Sequence, residues 1–359
     1  MSVYRKYLLP GLVFQSMVIG GGYGTGRELV EFFMNDGPAA GLKGMAVATL
    51  IWSVVLALCF ELARAGRLYD YRAFLSSLLG RGWIAFEVVY LAGLVLVVSV
   101  LGSAAGTILA QVTGWPEFVG NVAVIGVVGV LAFYGSGLIE RVMSVWSFAL
   151  YAVFAVVIVV ALRTLGPEIG EALSTPSTGN WMLGGAEYAA YNVGLLPAIL
   201  FVTRHLETRR EAFVSGAMAA VLTMAPGVLI YVAMLGQYPE VLDQAVPSDF
   251  LLAALDMPWL RAVFQIILFG TFVETGIALV HGFNERVAGV LGERDRVFTR
   301  TARALVAALM LTIALFVAEA AGLVAIIADG YGTLTWGYWL VFVIPVLTIG
   351  ARRVWLTRA

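Results

Sequence analysis

Charge is scarce in this chain. Only 13% of its 359 residues are Asp, Glu, Lys or Arg, against roughly 25% in a soluble domain. A single cysteine, Cys59, excludes an intrachain disulfide and a cysteine metal cluster. Two histidines, His205 and His281, are too few for a histidine-rich metal site. No hydrophilic insert is long enough to form a separate soluble domain. No nucleophile–base pair, metal-ligand spacing or phosphate-binding loop stands out, which argues against an enzyme. The net charge of −1 offers no electrostatic pointer to nucleic acid, and none is expected as a partner.

Apolar residues fill the gap, at 61% of the chain with a mean hydropathy of +0.92. A bilayer-crossing helix needs about 20 mostly apolar residues. The expected spans are Leu8–Phe33, Gly41–Ala63, Trp83–Thr113, Phe118–Tyr134, Val142–Leu162, Leu183–Thr203, Phe213–Tyr238, Trp259–Phe283, Ala302–Ala318 and Thr333–Ile349. The first run is too long for the apolar segment of a signal peptide and lacks a clear cleavage site, so it reads as a retained helix. With the N-terminus inside, 18 of the 22 basic residues fall on the cytoplasmic side. Only Lys43, Arg163 and Arg261 fall outside, and Arg27 lies within the first span. This bias follows the positive-inside rule. It predicts a multi-pass protein of the cell (inner) membrane with both termini cytoplasmic and the lipid bilayer as its surroundings.

The expected architecture is all-α, with about ten transmembrane helices as two five-helix repeats, 8–164 and 183–350. An odd number of spans per half inverts the second half, a common transporter plan. Trp83 and Trp259 open the third and eighth spans, and Gly137–Leu138 recurs as Gly322–Leu323. The stronger signal is Ile19-Gly20-Gly21-Gly22-Tyr23-Gly24-Thr25-Gly26-Arg27-Glu28 in the first span. Each glycine there weakens a helix by about 1 kcal/mol relative to alanine. Glycines for close helix packing recur every fourth residue, whereas these are consecutive. The segment therefore reads as a break that frees backbone groups to bind a solute or ion. In the sixth span, Asn192, Gly194 and Pro197 predict a counterpart, with a simple proline kink as the alternative.

Gly20 to Leu29, followed by Glu31-Phe32-Phe33, resembles the signature of YkvI-type membrane proteins. By that resemblance the chain is similar to the amino acid–polyamine–organocation superfamily, with a LeuT-type fold and a transport role. The spacing Gly20-x-x-x-Gly24-x-Gly26 also resembles sodium-coupled amino acid transporters. The resemblance implies an eighth helix that faces the first break and supplies hydroxyls to a sodium site. Thr271 and Thr275 match that role, and Glu274 departs from the usual hydroxyl. It also implies a neutral ligand where this chain has Arg27, whose guanidinium would replace a cation there.

Ionisable residues inside a membrane are functional candidates. Arg27 is expected to pair with Glu28 or Glu187 beside the breaks, as a fixed brace or as an outer gate. Glu274, with Thr271, Thr275 and the carbonyls of Gly20 and Tyr23, is expected to bind Na+ or carry H+. The alternative is a carboxylate satisfied by neighbouring helices. Solute-binding candidates are Gly21, Gly22, Tyr23, Gly24, Gly26, Arg27, Tyr188, Tyr191, Asn192, Gly194 and Phe272, whose aromatic members could equally be packing residues. Glu31, Glu61, Glu87 and Glu319 lie nearer span ends, and His281 is expected to be buried and hydrogen-bonded. The resulting expectation is a secondary transporter for a small solute, an amino acid or small amine by resemblance. It needs no cofactor beyond a coupling Na+ or H+. A channel or a non-transporting receptor is the alternative.

Overall fold

The computed structural model describes residues 3–134, 139–177, 179–292 and 298–356. Gly137–Leu138, and Arg294, Arg296 and Arg358 of the basic residues, lie outside the described residues. No strand occurs among the described residues. Consecutive apolar side chains leave the backbone no polar partner but itself, and in lipid that selects helix. By length and apolarity, five helices among the described residues are fit to cross a bilayer, or seven if two bent pairs each count as one span. One of those five runs from Arg300 to Leu356 and covers two of the expected spans. Gly322 divides it, with φ 75° and ψ 167° inside an otherwise helical run.

The helix Trp83–Thr113 has the predicted limits, and at 31 residues it exceeds the bilayer core. Helix Pro38–Gly66 packs along Arg209–Met234 and along Trp181–Val193. Helix Pro258–Gly292 packs on Glu117–Tyr134 and on Ile139–Thr164. The buried core runs through the centre of the bundle, with Trp52, Tyr23, Tyr188, Tyr231, Tyr331 and Tyr338 among its largest side chains. Outside it, Leu50, Val88, Ile266, Phe316 and Leu340 are exposed. Such an apolar exterior fits lipid rather than water.

Both predicted breaks are present. The first span is three short helices, Leu9–Val18, Gly21–Thr25 and Arg27–Phe32. Ile19 and Gly20 leave the helical region, and Gly26 then adopts a left-handed conformation at φ 78°. An L side chain at Gly26 would be strained, and it would also meet the Met234 thioether. In the sixth span, helix Trp181–Val193 stops at Gly194 and turns by 68° into a tight 3-10 segment, Leu196–His205. Pro197 sits at the start of that segment, where its missing N–H costs nothing. The feature is therefore a break and not a kink.

Candidate functional site

The two breaks meet at the centre of the molecule. Tyr191 stacks on Phe32 at 6.1 Å and on Tyr331 at 4.7 Å. Tyr188 stands edge-on to Tyr191 at 5.8 Å and to Phe33 at 4.8 Å. Trp52 binds the sixth-span helix through its indole N–H, which donates to the Ala189 carbonyl at 3.1 Å. Gly194 lies directly beneath Tyr338, so close that a Cβ would strike the ring. Tyr23 is fully buried, and its hydroxyl donates to the Thr223 carbonyl at 3.3 Å.

Glu28 is only 2% exposed, and its carboxylate accepts a hydrogen bond from the Tyr191 hydroxyl at 2.5 Å. The carboxylate lies against the bare backbone of Gly22, where a Cβ would collide with it. Asn192 donates to the Tyr188 carbonyl at 3.0 Å. Its Oδ1 and the Tyr188 hydroxyl are buried near one another, with no well-formed hydrogen bond to any other group among the described residues. Buried polar atoms normally find a partner, so unfilled ones at a helix break mark a place for a ligand or water.

Arg27 corrects an expectation. Its partner is neither Glu28 nor Glu187 but Glu31, at 2.8 Å from Nη2. Its Nη1 donates to the carbonyls of Leu242 and Gln244 at 2.7 and 3.1 Å. Glu187 is partly exposed, and its backbone carbonyl accepts from Thr335 at 3.1 Å. Depth alone grouped the three charges; the helical spacing of Arg27 and Glu31, four residues apart, decides the pairing. The segment that Arg27 holds is a lid. Its short helix Pro247–Ala254 adds a second tie, from the Ser248 hydroxyl to the Gly24 carbonyl at 3.1 Å. Next to Ser248, Asp249 ties the lid to a different helix, accepting from Arg261 at 2.6 and 2.9 Å and from Gln265 at 2.7 Å. The ties of this segment to the first span join positions more than 200 residues apart.

Helix Pro258–Gly292 brings its polar face to the first break. Thr275 contacts Gly20, and its buried hydroxyl has no partner. Glu274 and Thr271 line a small cavity of ≈ 10 Å³ with Gln15, Ser16 and Ile19. That is about the volume of one water-sized guest. The Gln15 Oε1 is buried without a partner, and Gln15 gave no signal in the sequence beyond its place just before the glycines. Thr271 donates to the Ile267 carbonyl at 3.0 Å. The Gly20 and Tyr23 carbonyls already accept from the amides of Gly24 and Gly26, at 2.9 and 3.0 Å. Phe272 is fully buried with its ring 6.0 Å from Phe269.

The carboxylates near span ends have local partners: Glu61 pairs with Arg64 at 2.7 Å, Glu87 accepts from Tyr71, and Glu319 accepts from Asn121. His281 is exposed, contrary to expectation, and lines a separate ≈ 420 Å³ cavity with Asn284, Arg300 and Arg303.

Over 99% of its length the chain superposes on MhsT, crystallised with L-phenylalanine, at TM-score 0.65 and 15% identity, covering 97% of that protein. The fold is the LeuT type. Mhp1, a nucleobase-cation-symport-1 family transporter solved closed around bromovinylhydantoin, matches at TM-score 0.53 and 15% identity, over 86% of this chain and 71% of that one. In sequence, the chain is 24% identical over 301 residues to the uncharacterized membrane protein YkvI of Bacillus subtilis strain 168, covering 79% of this chain and 82% of that protein. No family model matches.

Proposed function

We propose that the chain is a secondary transporter that moves a small solute across the cell (inner) membrane by alternating access. In this reading ten spans leave both termini in the cytoplasm, so the lid lies outside. The observation that carries it is the meeting of two broken helices at buried polar groups under that lid. Interrupted helices in corresponding positions of two halves are the usual place for a transported solute. The bound solutes of MhsT and Mhp1 support a small-molecule cargo. A channel needs neither a lid pinned to the break nor a closed centre.

The coupling site in this proposal is the cluster of Glu274, Thr271 and Thr275 with Gly20. The Thr275 hydroxyl and Gln15 Oε1 lack partners, and together with a carboxylate they form a set of hard oxygens suited to Na+. A proton on Glu274 is the other form of the same coupling. Gly20 and Tyr23 contribute less than expected, because their carbonyls are already engaged.

Purified protein in liposomes, given a labelled mixture of amino acids and small amines, tests the reading. An imposed Na+ or pH gradient should drive accumulation above equilibrium. Glu274→Gln should abolish that drive while solute exchange survives. Equilibration without accumulation under either gradient would replace the transporter with a passive pathway. Wild-type ion dependence in Glu274→Gln would remove this residue from the coupling.

A further inference from the structure

The ≈ 420 Å³ cavity beside His281 lies apart from the helix breaks, and the transport reading makes no use of it. Its walls come from helices Glu117–Tyr134, Pro258–Gly292 and Arg300–Ala325. The volume falls within the range of small-molecule sites, about 300–1,000 Å³.

Helix Arg300–Ala325 gives the cavity its character. Arg300, Arg303, Ala304, Ala307, Ala308 and Leu311 all line it. Their spacing, i, i+3, i+4, i+7, i+8 and i+11, is that of a single helix face. The face begins with two arginines, continues with three alanines and ends on a leucine. From Arg300 to Leu311 it rises about 16 Å, at 1.5 Å per residue. One leaflet of the hydrocarbon core is about 15 Å deep, half of about 30 Å. A groove floored by small side chains thus leads from a cationic mouth across the depth of one leaflet. Leu305 and Leu309 beside it are 67% and 63% exposed, and Val130 on another wall is 56% exposed. The groove therefore opens on the apolar exterior of the bundle.

The mouth suits an anion. Thr299 caps the helix there, accepting from the Ala302 amide at 3.2 Å, and the positive end of the helix dipole adds to the two guanidiniums. Both arginines have other contacts as well. Each carries five N–H donors, so it can hold an oxyanion alongside a neighbour. Among the described residues, no Asp or Glu lines the cavity. Asn284 adds an independent demand. It lines the cavity at 8% exposure, and its Oδ1 is buried without a partner. That oxygen needs a donor, which neither an ionised phosphodiester nor an acyl chain brings. A headgroup hydroxyl brings one.

We propose that this cavity binds an anionic phospholipid whose headgroup carries a hydroxyl, as phosphatidylglycerol does. The phosphodiester sits at Arg300 and Arg303, the hydroxyl donates to the Asn284 Oδ1, and an acyl chain lies along the alanines to Leu311. On the topology proposed above, this lipid belongs to the cytoplasmic leaflet, where basic pockets between spans meet anionic headgroups. The site stands whether or not the protein transports a solute.

Thermal unfolding and native mass spectrometry of the purified full-length protein test it. The probes are phosphatidylglycerol, phosphatidylmethanol and phosphatidylcholine with identical acyl chains, and inorganic phosphate. Phosphatidylglycerol should bind and raise the melting temperature. Phosphatidylmethanol, an anion without the hydroxyl, should bind about threefold to tenfold more weakly. Phosphatidylcholine should bind about thirtyfold more weakly, and inorganic phosphate not measurably. Asn284→Ala should erase the difference between the two anionic lipids. Arg300→Gln combined with Arg303→Gln should weaken phosphatidylglycerol about thirtyfold. Arg81→Gln combined with Arg352→Gln removes the same charge from exposed positions that do not line the cavity, and should leave binding within about twofold. Ala308→Phe, at an exposed position of the groove floor, should block the chain and abolish the lipid-induced rise while the lipid-free melting temperature holds. Equal binding of phosphatidylglycerol and either other lipid overturns the proposal. So does inorganic phosphate binding as tightly as phosphatidylglycerol, or an equal loss in the two arginine double variants. If the Arg300 and Arg303 variant fails to fold, unchanged phosphatidylglycerol binding in both Asn284→Ala and Ala308→Phe overturns it.

Discussion

Arg27 is 6% exposed, holds three hydrogen bonds and still has a buried Nε without a partner. Removing it strands Glu31, whose side chain is 24% exposed and so retains some contact with its surroundings. Arg27→Ala should therefore cost about 1–3 kcal/mol, between the figures for exposed and buried pairs. In a double-mutant cycle with Glu31→Gln, the coupling should reach about 1 kcal/mol. The same cycle with Glu187→Gln should be additive, and coupling there instead would contradict the assigned pairing. The sequence made Arg27 conspicuous as a basic residue set deep within a span, away from the ends where Lys43, Arg261 and Arg303 lie. Its partner was legible too, four residues on, but grouping charges by depth hid it. The Glu28–Tyr191 bond was beyond reach, since nothing in the order of residues aligns positions 163 apart.

Helix breaks are written more openly than helix contacts. Consecutive glycines announced the first interruption, and Asn192, Gly194 and Pro197 the second, because backbone cost is a local property. Contacts between elements are not local. Lys6, on the turn that leads into the first span, pairs with Glu207 at 2.8 Å and with Glu211 at 2.9 Å. These acids flank the N-terminus of helix Arg209–Met234, where Thr208 and Glu211 form a reciprocal cap. Hydrogen bonds to Glu207 and Glu211 push the Lys6 pKa up, and the Lys6 hydrogen bond holds Glu211 below its usual value. For Glu211, whose pKa is depressed in the fold, the stabilisation is present above the ordinary carboxylate pKa of about 4.3. It is lost as pH falls through the lower folded value. Lys6 contributes below its ordinary pKa and loses that contribution as pH rises through the raised one. The tie should thus hold through neutral pH and release in acid. A fluorophore pair on the N-terminal turn and on helix Arg209–Met234 should separate more readily in Lys6→Ala than in wild type at pH 7. Acid should separate the pair in wild type and change little in Lys6→Ala. An equal acid response in both would show that this pair is not the tie.

The whole-molecule plan came from two plain signals, the length of the apolar runs and the sidedness of basic residues. Both report on the bilayer, the strongest constraint that the chain meets. What they do not encode is how helices far apart in sequence share a centre. Tyr331 joins the site from just before the last expected span, Thr333–Ile349, and the lid is tied to the first break across 215 positions. The lid also has a consequence for how the protein breathes. Arg27 and Ser248 fasten it to the broken first span, while Asp249 fastens it to Arg261 and Gln265. A segment tied on two sides does not fray one residue at a time; it opens as a cooperative unit. In deuterium exchange, the amides of residues 242–254 and those of 24–31 should therefore exchange at one shared rate. Arg27→Ala should uncouple them, with the lid labelling first. Independent rates in the wild-type protein would mean that the ties do not set the opening.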